Sequence, residues 1–298
     1  MNHLGLMSIA LSALATGAAP AGAQTPPPYS QPWLLRPAAV GTALRIDETL
    51  AFHEDPASGQ EGTTAVTSLS ASRKLGARWA GLARLSFVHN EAAVGPSGSA
   101  LSNVLLGASH VRPLSGAWRL TGFTAVALPV GTGAGDDPDP GDAAAIGAAA
   151  PARSAMDNTL LAVNYWGVMA GAGAARVTAG VTAQIEMTVL HTRRTRGPES
   201  QDGSRTNLTA GIHLGHFFSP RLSLGGELRM QRWLSGAAPV RADADAQSQF
   251  TFGIGPRLHF KVGAKSWVRP GLSYTRALDE PMSGRAYDIV QVDAPISF

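Results

Sequence analysis

The chain has no cysteine in its 298 residues. That absence removes a disulfide framework, a thiol nucleophile and a zinc–thiolate centre at once. Long runs of one charge are also missing. Charged residues make up 15% of the chain and the net charge is +3. The one local basic run, His191 with Arg193, Arg194 and Arg196, falls in an expected loop. Nucleic-acid binding needs a clustered basic footprint, so no nucleic-acid partner is expected. After the first two dozen residues, no apolar stretch reaches the roughly 20 residues that a helical membrane span requires. A mean hydropathy of +0.02 is too low for a helical membrane protein. An apolar fraction of 44% is too high for a disordered chain. The length would fit two soluble domains or one large barrel.

The first residues read as a targeting segment. Leu4 to Leu14 is an apolar stretch, and Ala21-Gly22-Ala23 supplies a small-residue cleavage site before Gln24. The leading Met1-Asn2-His3 carries no Lys or Arg, a departure from the usual pattern. Residues 1–23 are therefore expected to be a signal peptide, and residues 24–38 a proline-rich periplasmic lead-in. Pro26, Pro27, Pro28, Pro32 and Pro37 prevent that stretch from pairing as a central strand. Its apolar Trp33, Leu34 and Leu35 allow a second reading, in which it tucks into a barrel mouth.

From residue 39 onward the dominant period is two. In residues 175–190, Ala175, Val177, Ala179, Val181, Ala183, Ile185, Met187 and Val189 share one face. Arg176, Thr178, Gly180, Thr182, Gln184, Glu186 and Thr188 share the other. A strand sends alternate side chains to opposite faces, and a helix would mix them. The same split recurs in 118–130, 222–230 and 250–260, and more weakly near 40–53, 62–72, 79–90, 101–112, 158–169, 206–217, 266–277 and 286–298. That makes about twelve strands. In 101–112 two facings compete, and in 40–53 Glu48 lies on the apolar face, which suggests a bulge or a wrong facing there.

The connections alternate in length. Short ones are expected at 74–77, 113–116, 170–174, 218–220 and 262–265, and longer polar ones at 54–61, 91–100, 131–157, 192–205, 235–246 and 279–285. Short periplasmic turns and long extracellular loops characterise an outer-membrane β-barrel. Trp79, Trp118 and Trp267 follow short turns, where an interfacial aromatic girdle belongs. The chain ends with Val290, Val292, Ala294, Ile296 and Phe298 alternating with smaller or polar residues. Such an ending suits recognition by the barrel-assembly machinery, and on a soluble edge strand it would invite aggregation. A cation facing mid-bilayer lipid costs roughly 2–4 kcal/mol, and the strongest apolar faces carry none at mid-strand. The expected fold is all-β, an antiparallel transmembrane barrel of about twelve strands over residues 39–298, in the bacterial outer membrane and in contact with its lipid.

The inward faces collect Arg45, Asp47, Arg84, Arg119, Arg176, Glu186, His213, Glu227, Arg229, Arg257 and His259 as candidate pore-lining residues. In a barrel of intermediate girth they either line a narrow polar conduit or pair across it and close it. Catalysis is not expected. A barrel hydrolase would need Ser within reach of His, no His-x-Ser occurs, and Ser109 and His110 are adjacent and so point apart. No cofactor is expected, nor a metal. Asp136, Asp137, Asp139 and Asp142 cluster in one loop and could hold calcium, but without EF-hand spacing and with two intervening prolines.

Two segments resemble a known family. Residues 122–133 (GFTAVALPVGTG) resemble the strand-to-loop "LPxG" element of outer-membrane transporter-like barrels named for the meta-pathway of phenol degradation. Residues 253–260 (GIGPRLHF), leading to Trp267 and residues 271–274, resemble that family's late hairpin. The match spans about a sixth of the chain, and it carries no site residues. It implies passive uptake of small solutes, hydrophobic or aromatic molecules among them. The function expected is a passive channel for small molecules. A closed barrel that binds partners through its loops is the alternative, and a barrel hydrolase a third reading.

Overall fold

Strand pairing follows the two-residue period almost throughout. The computed structural model describes residues 29–114, 117–178, 180–236 and 238–298, without the side chains of 238 and 239. The expected signal peptide and Ala179 lie outside these residues. Twelve strands pair antiparallel, each with its neighbours in sequence. They are β1 (Ala43–Glu54), β2 (Glu61–Lys74), β3 (Trp79–Glu91), β4 (Gly98–Leu101 and Val104–Pro113), β5 (Trp118–Leu128) and β6 (Tyr165–Thr178). Next come β7 (Val181–Arg194), β8 (Ser204–Ser219), β9 (Leu222–Ser235), β10 (Ser248–Leu258 and Phe260–Val262), β11 (Ser266–Val268 and Gly271–Ala277) and β12 (Asp288–Ser297). Strand β12 returns to β1, from Ala43 opposite Ser297 to Phe52 opposite Asp288, and closes the barrel.

The outer surface is an apolar band. Leu44, Ile46, Ile185, Met187, Leu214 and Phe252 are all exposed on it, and the strand residues between them are buried or half-buried inside. Trp79 and Trp118 stand exposed just beyond the short turns. Closure leaves no unpaired sheet edge, so backbone groups are satisfied where a bilayer supplies no hydrogen bonds.

Three local readings are corrected. The turn expected at 170–174 lies instead between Thr178 and Val181, with Gly180 at φ +94°. Thr178 pairs directly with Val181 across it. A two-residue hairpin puts both paired residues on one face, so the parity inverts. Val181 to Val189 face outward on odd numbers, whereas Ala175 and Val177 are buried inside, and Arg176 is exposed outside. The competing facings in 101–112 come from a bulge. Leu101 precedes and Val104 follows two consecutive buried residues, Ser102 and Asn103, so the outward series passes from odd to even numbers. No bulge is present at Glu48. The β1–β2 register is continuous there, Glu48 faces outward, and the Thr67 hydroxyl of β2 donates to it at 2.5 Å.

The connection between β5 and β6 departs most from expectation. Residues 158–161 form a short helix, not the start of a strand, and 140–152 form another: α1 (Pro140–Ala152) and α2 (Asn158–Leu161). Alanine dominates α1 and favours helix. Pro140 occupies its first turn, and the Asp139 carboxylate caps it by accepting from Gly141 N at 2.9 Å and Asp142 N at 3.0 Å. Ala145, Ile146, Ala149 and Ala152 pack against Ala51, Val66, Val88 and Ala100 of the inner wall, with Met282 and Tyr287 from the last long loop. The connection therefore folds into the lumen.

A candidate solute path through the barrel lumen

Two segments occupy the lumen. From the end with the short turns enters residues 29–38, the stretch expected as a periplasmic lead-in. Buried backbone N–H and C=O groups must be paired, and the prolines rule out a ladder. Wall side chains substitute for one. The Glu227 carboxylate accepts from the backbone N–H groups of Trp33 (2.6 Å), Leu34 (3.0 Å) and Leu35 (3.3 Å). Glu186 accepts from Arg36 N at 3.0 Å and pairs with its guanidinium at 2.5 Å. On the acceptor side, Arg45 donates to Trp33 O, Gln184 to Arg36 O at 2.7 Å and Arg119 to Ala38 O at 3.1 Å. His213 Nε2 lies 3.1 Å from Ser30 O.

Aromatic contacts complete the seat. Trp33 is 1% exposed under the Arg257 guanidinium, which lies 4.2 Å from its ring. The Tyr29 hydroxyl donates to Gln184 at 2.7 Å, and burial pushes this phenol well above its ordinary pKa. Tyr29 and Ala38 pack on Ala175 and Val177, the two small apolar residues that the hairpin turns inward.

From the other end enters the β5–β6 connection, and its tip is held by ions. Arg84 donates twice to Asp157, at 2.7 Å each. Arg153 pairs with Asp157 at 2.9 Å and with Asp47, and donates to Thr49 at 2.6 Å. Arg229 reaches Ser154 at 3.3 Å. Burial alone would raise the Asp157 pKa, but the guanidiniums of Arg84 and Arg153 outweigh it and hold the carboxyl well below the usual range. Burial likewise opposes the Arg153 charge, and Asp47 and Asp157 more than compensate.

Ten of the eleven candidate pore residues point inward. Arg45, Asp47, Arg84 and Arg119 line the first strands, and Glu186, His213, Glu227, Arg229, Arg257 and His259 are 5% exposed or less. Arg176 does not join them. It sits exposed on the outside, opposite Trp118 of β5. Asp293 was missed, although it alternates with the outward Val292 and Ala294. It pairs with Arg45 and with Arg257, each at 2.7 Å. Arg36, Arg153 and Asp157 were also missed, because no strand period marks them. The four loop aspartates do not converge: Asp139 is spent as a helix cap, and among the described residues no three His, Asp or Glu side chains are placed to hold a metal.

Between the two inserted segments and the wall of β1–β4 lies a cavity of about 190 Å³. Its lining mixes Leu82, Leu105, Leu160, Met156 and Met169 with Arg45, Asp47, Arg84 and Asp157. A second hollow, about 390 Å³, opens at the short-turn end beside Arg119, Val111, Val177 and Trp118.

No protein-family model matches the chain. No curated protein sequence matches it either. Solved structures do. An outer membrane channel from Pseudomonas putida superposes with a TM-score of 0.59 at 15% identity, covering 87% of this chain and 96% of that one. The NanC porin superposes with a TM-score of 0.51 at 8% identity, covering 85% and 98%. At such identities the likeness concerns the fold, a twelve-stranded barrel of outer-membrane type.

Proposed function

We propose that the chain is a passive outer-membrane channel for small molecules, with its path narrowed by residues 29–38 and by the β5–β6 connection. The observation that carries this reading is the 190 Å³ cavity between those segments and the wall, lined by both charged and apolar side chains. A lumen meant only to be filled would be packed with side chains at that level. Selectivity then rests with inward groups, chiefly Arg45, Asp47 and Arg84, which set aperture and field. That two of the similar solved structures are a channel and a porin supports the reading, as does the resemblance to the phenol-pathway family, which adds hydrophobic or aromatic solutes. In this reading residues 1–23 export the chain, the strand ending at Phe298 engages the assembly machinery, and the apolar band meets outer-membrane lipid.

A closed barrel is the second reading, and the tight seating of both inserted segments favours it. We read the chain as no enzyme. Ser223 Oγ does lie 2.9 Å from His259 Nε2, but both are fully buried behind the N-terminal segment, and His259 Nδ1 has no partner among the described residues to orient it. Ser109 lines the cavity while His110 packs at a tilt against Trp79 outside.

Liposome swelling in arabinose and single-channel recording in planar bilayers test the channel. The full chain is expected to admit solute with small conductance, and a chain lacking residues 25–38 to conduct more. If neither protein conducts nor swells vesicles, the barrel is closed.

A further inference from the structure

The strand register places three inward residues side by side. Arg45 of β1 stands opposite Ser70 of β2, and Ser70 stands opposite Arg84 of β3. Arg84 in turn stands opposite Leu105 of β4. Adjacent strands are about 4.8 Å apart, so the two arginine positions flank one small serine with a leucine next in the row; the Arg45 guanidinium reaches Asp293 and Trp33 O, and that of Arg84 reaches Asp157. All four residues line the 190 Å³ cavity. The short Ser70 side chain leaves the space between the arginines open.

Each arginine at that surface has a carboxylate partner. Arg36, Arg45, Arg84 and Arg153 line the cavity against two carboxylates, Asp47 and Asp157. Glu186 and Asp293 answer Arg36 and Arg45 but are not part of the lining. Donor capacity remains. The Arg84 Nε and the Thr159 hydroxyl, 2% exposed on the same cavity, have no acceptor among the described residues, and the Arg45 Nε has only Asp47 at 3.9 Å, beyond hydrogen-bond length. A guanidinium carries five N–H donors, and Arg84 spends two of them on Asp157. Beside Arg84 in that row, Leu105 forms one apolar cluster with Leu160 and Met169. An apolar cavity of about 150 Å³ admits benzene, so the space here accepts a body of one ring together with a small polar head.

We propose that this cavity is a binding site for a small organic carboxylate, with its anionic head at Arg45 and Arg84 over Ser70 and its apolar body toward Leu105, Leu160 and Met169. The inference deepens the channel reading and rests on it for the route by which solute arrives. It assigns a substrate class: monoanions with a compact apolar body, preferred over neutral or cationic molecules of the same size.

The test is equilibrium binding to the refolded full-length barrel of three probes matched in size: benzoate, benzamide and benzylamine. Benzoate is expected to bind saturably, at least tenfold tighter than the other two. Arg45→Gln should abolish that preference. Ser70→Leu should fill the space between the arginines and remove benzoate binding, with heat-modifiable gel migration confirming a folded barrel. Equal binding of benzamide, absence of saturable benzoate binding, or unchanged binding by folded Ser70→Leu each overturns the proposal. Arabinose swelling is read in parallel. Swelling without benzoate binding refutes the carboxylate site and leaves the channel standing, whereas benzoate binding without swelling keeps the site in a closed barrel.

Discussion

Replacing Glu227 by glutamine should release the N-terminal segment from the lumen. The carboxylate accepts three consecutive backbone N–H groups, from Trp33, Leu34 and Leu35, and the Arg229 Nε at 2.7 Å. A glutamine there would keep the shape but only one acceptor oxygen. Retained at the Oε1 position, that oxygen would still serve Leu34, Leu35 and Arg229 as a weaker, neutral acceptor. The new amide nitrogen would face Trp33 N–H, donor against donor. One buried donor left unpaired costs about 1–3 kcal/mol. Adding the lost charge assistance on the others gives a penalty of about 3 kcal/mol, or about a hundredfold in the ratio of seated to released segment. The absence of native cysteine makes this measurable. A single cysteine in place of the half-buried Gln31 reports release through its rate of maleimide labelling in vesicles. Wild-type Glu227 should protect it, and Glu227→Gln should accelerate labelling about a hundredfold if opening is fast. A change of less than threefold would refute the claim that this carboxylate seats the segment.

Further outcomes follow from the other groups. Asp157→Asn leaves the Arg84 and Arg153 cations short of their shared anion, which for a buried pair costs up to about 3–5 kcal/mol; protease access to the β5–β6 connection should rise, and single-channel conductance with it. The folded pKa of Asp157 is depressed, so its contribution is complete above the unfolded value of about 3.9 and lost only as pH falls through the lower folded value. Proteolysis of that connection should therefore be flat between pH 5 and 8, and a step in that window would show that another group controls it. Arg176→Gln should leave the reversal potential in a salt gradient unchanged and shift thermal stability by no more than about 0.5 kcal/mol, since the side chain lies outside the pore.

The legibility of this chain divides along its backbone. Wherever a strand separates lipid from lumen, the two solvents impose a period of two, and ten lumen-facing ionisable residues can be read directly from it. Errors arose where parity changes without a compositional mark. The hairpin between Thr178 and Val181 inverts the facing inside what reads as one uninterrupted alternation, and so the alternation alone sets Arg176 on the wrong side. The bulge at Ser102 and Asn103 did the same in β4, where it left two competing facings.

Residue order alone specifies the barrel: the number of its strands, the alternation of turns and loops, and the side of the wall on which most residues lie. Local chemistry suffices for that, because each strand residue meets either lipid or the interior. What fills the interior is set by long-range packing. Residues 29–38 and the β5–β6 connection have no period, and their partners stand far off in sequence: Glu227 lies 194 positions from Trp33, and Asp47 lies 106 from Arg153. Such pairings satisfy buried backbone and charge through the shape of the closed lumen, and that shape exists only once twelve strands have met.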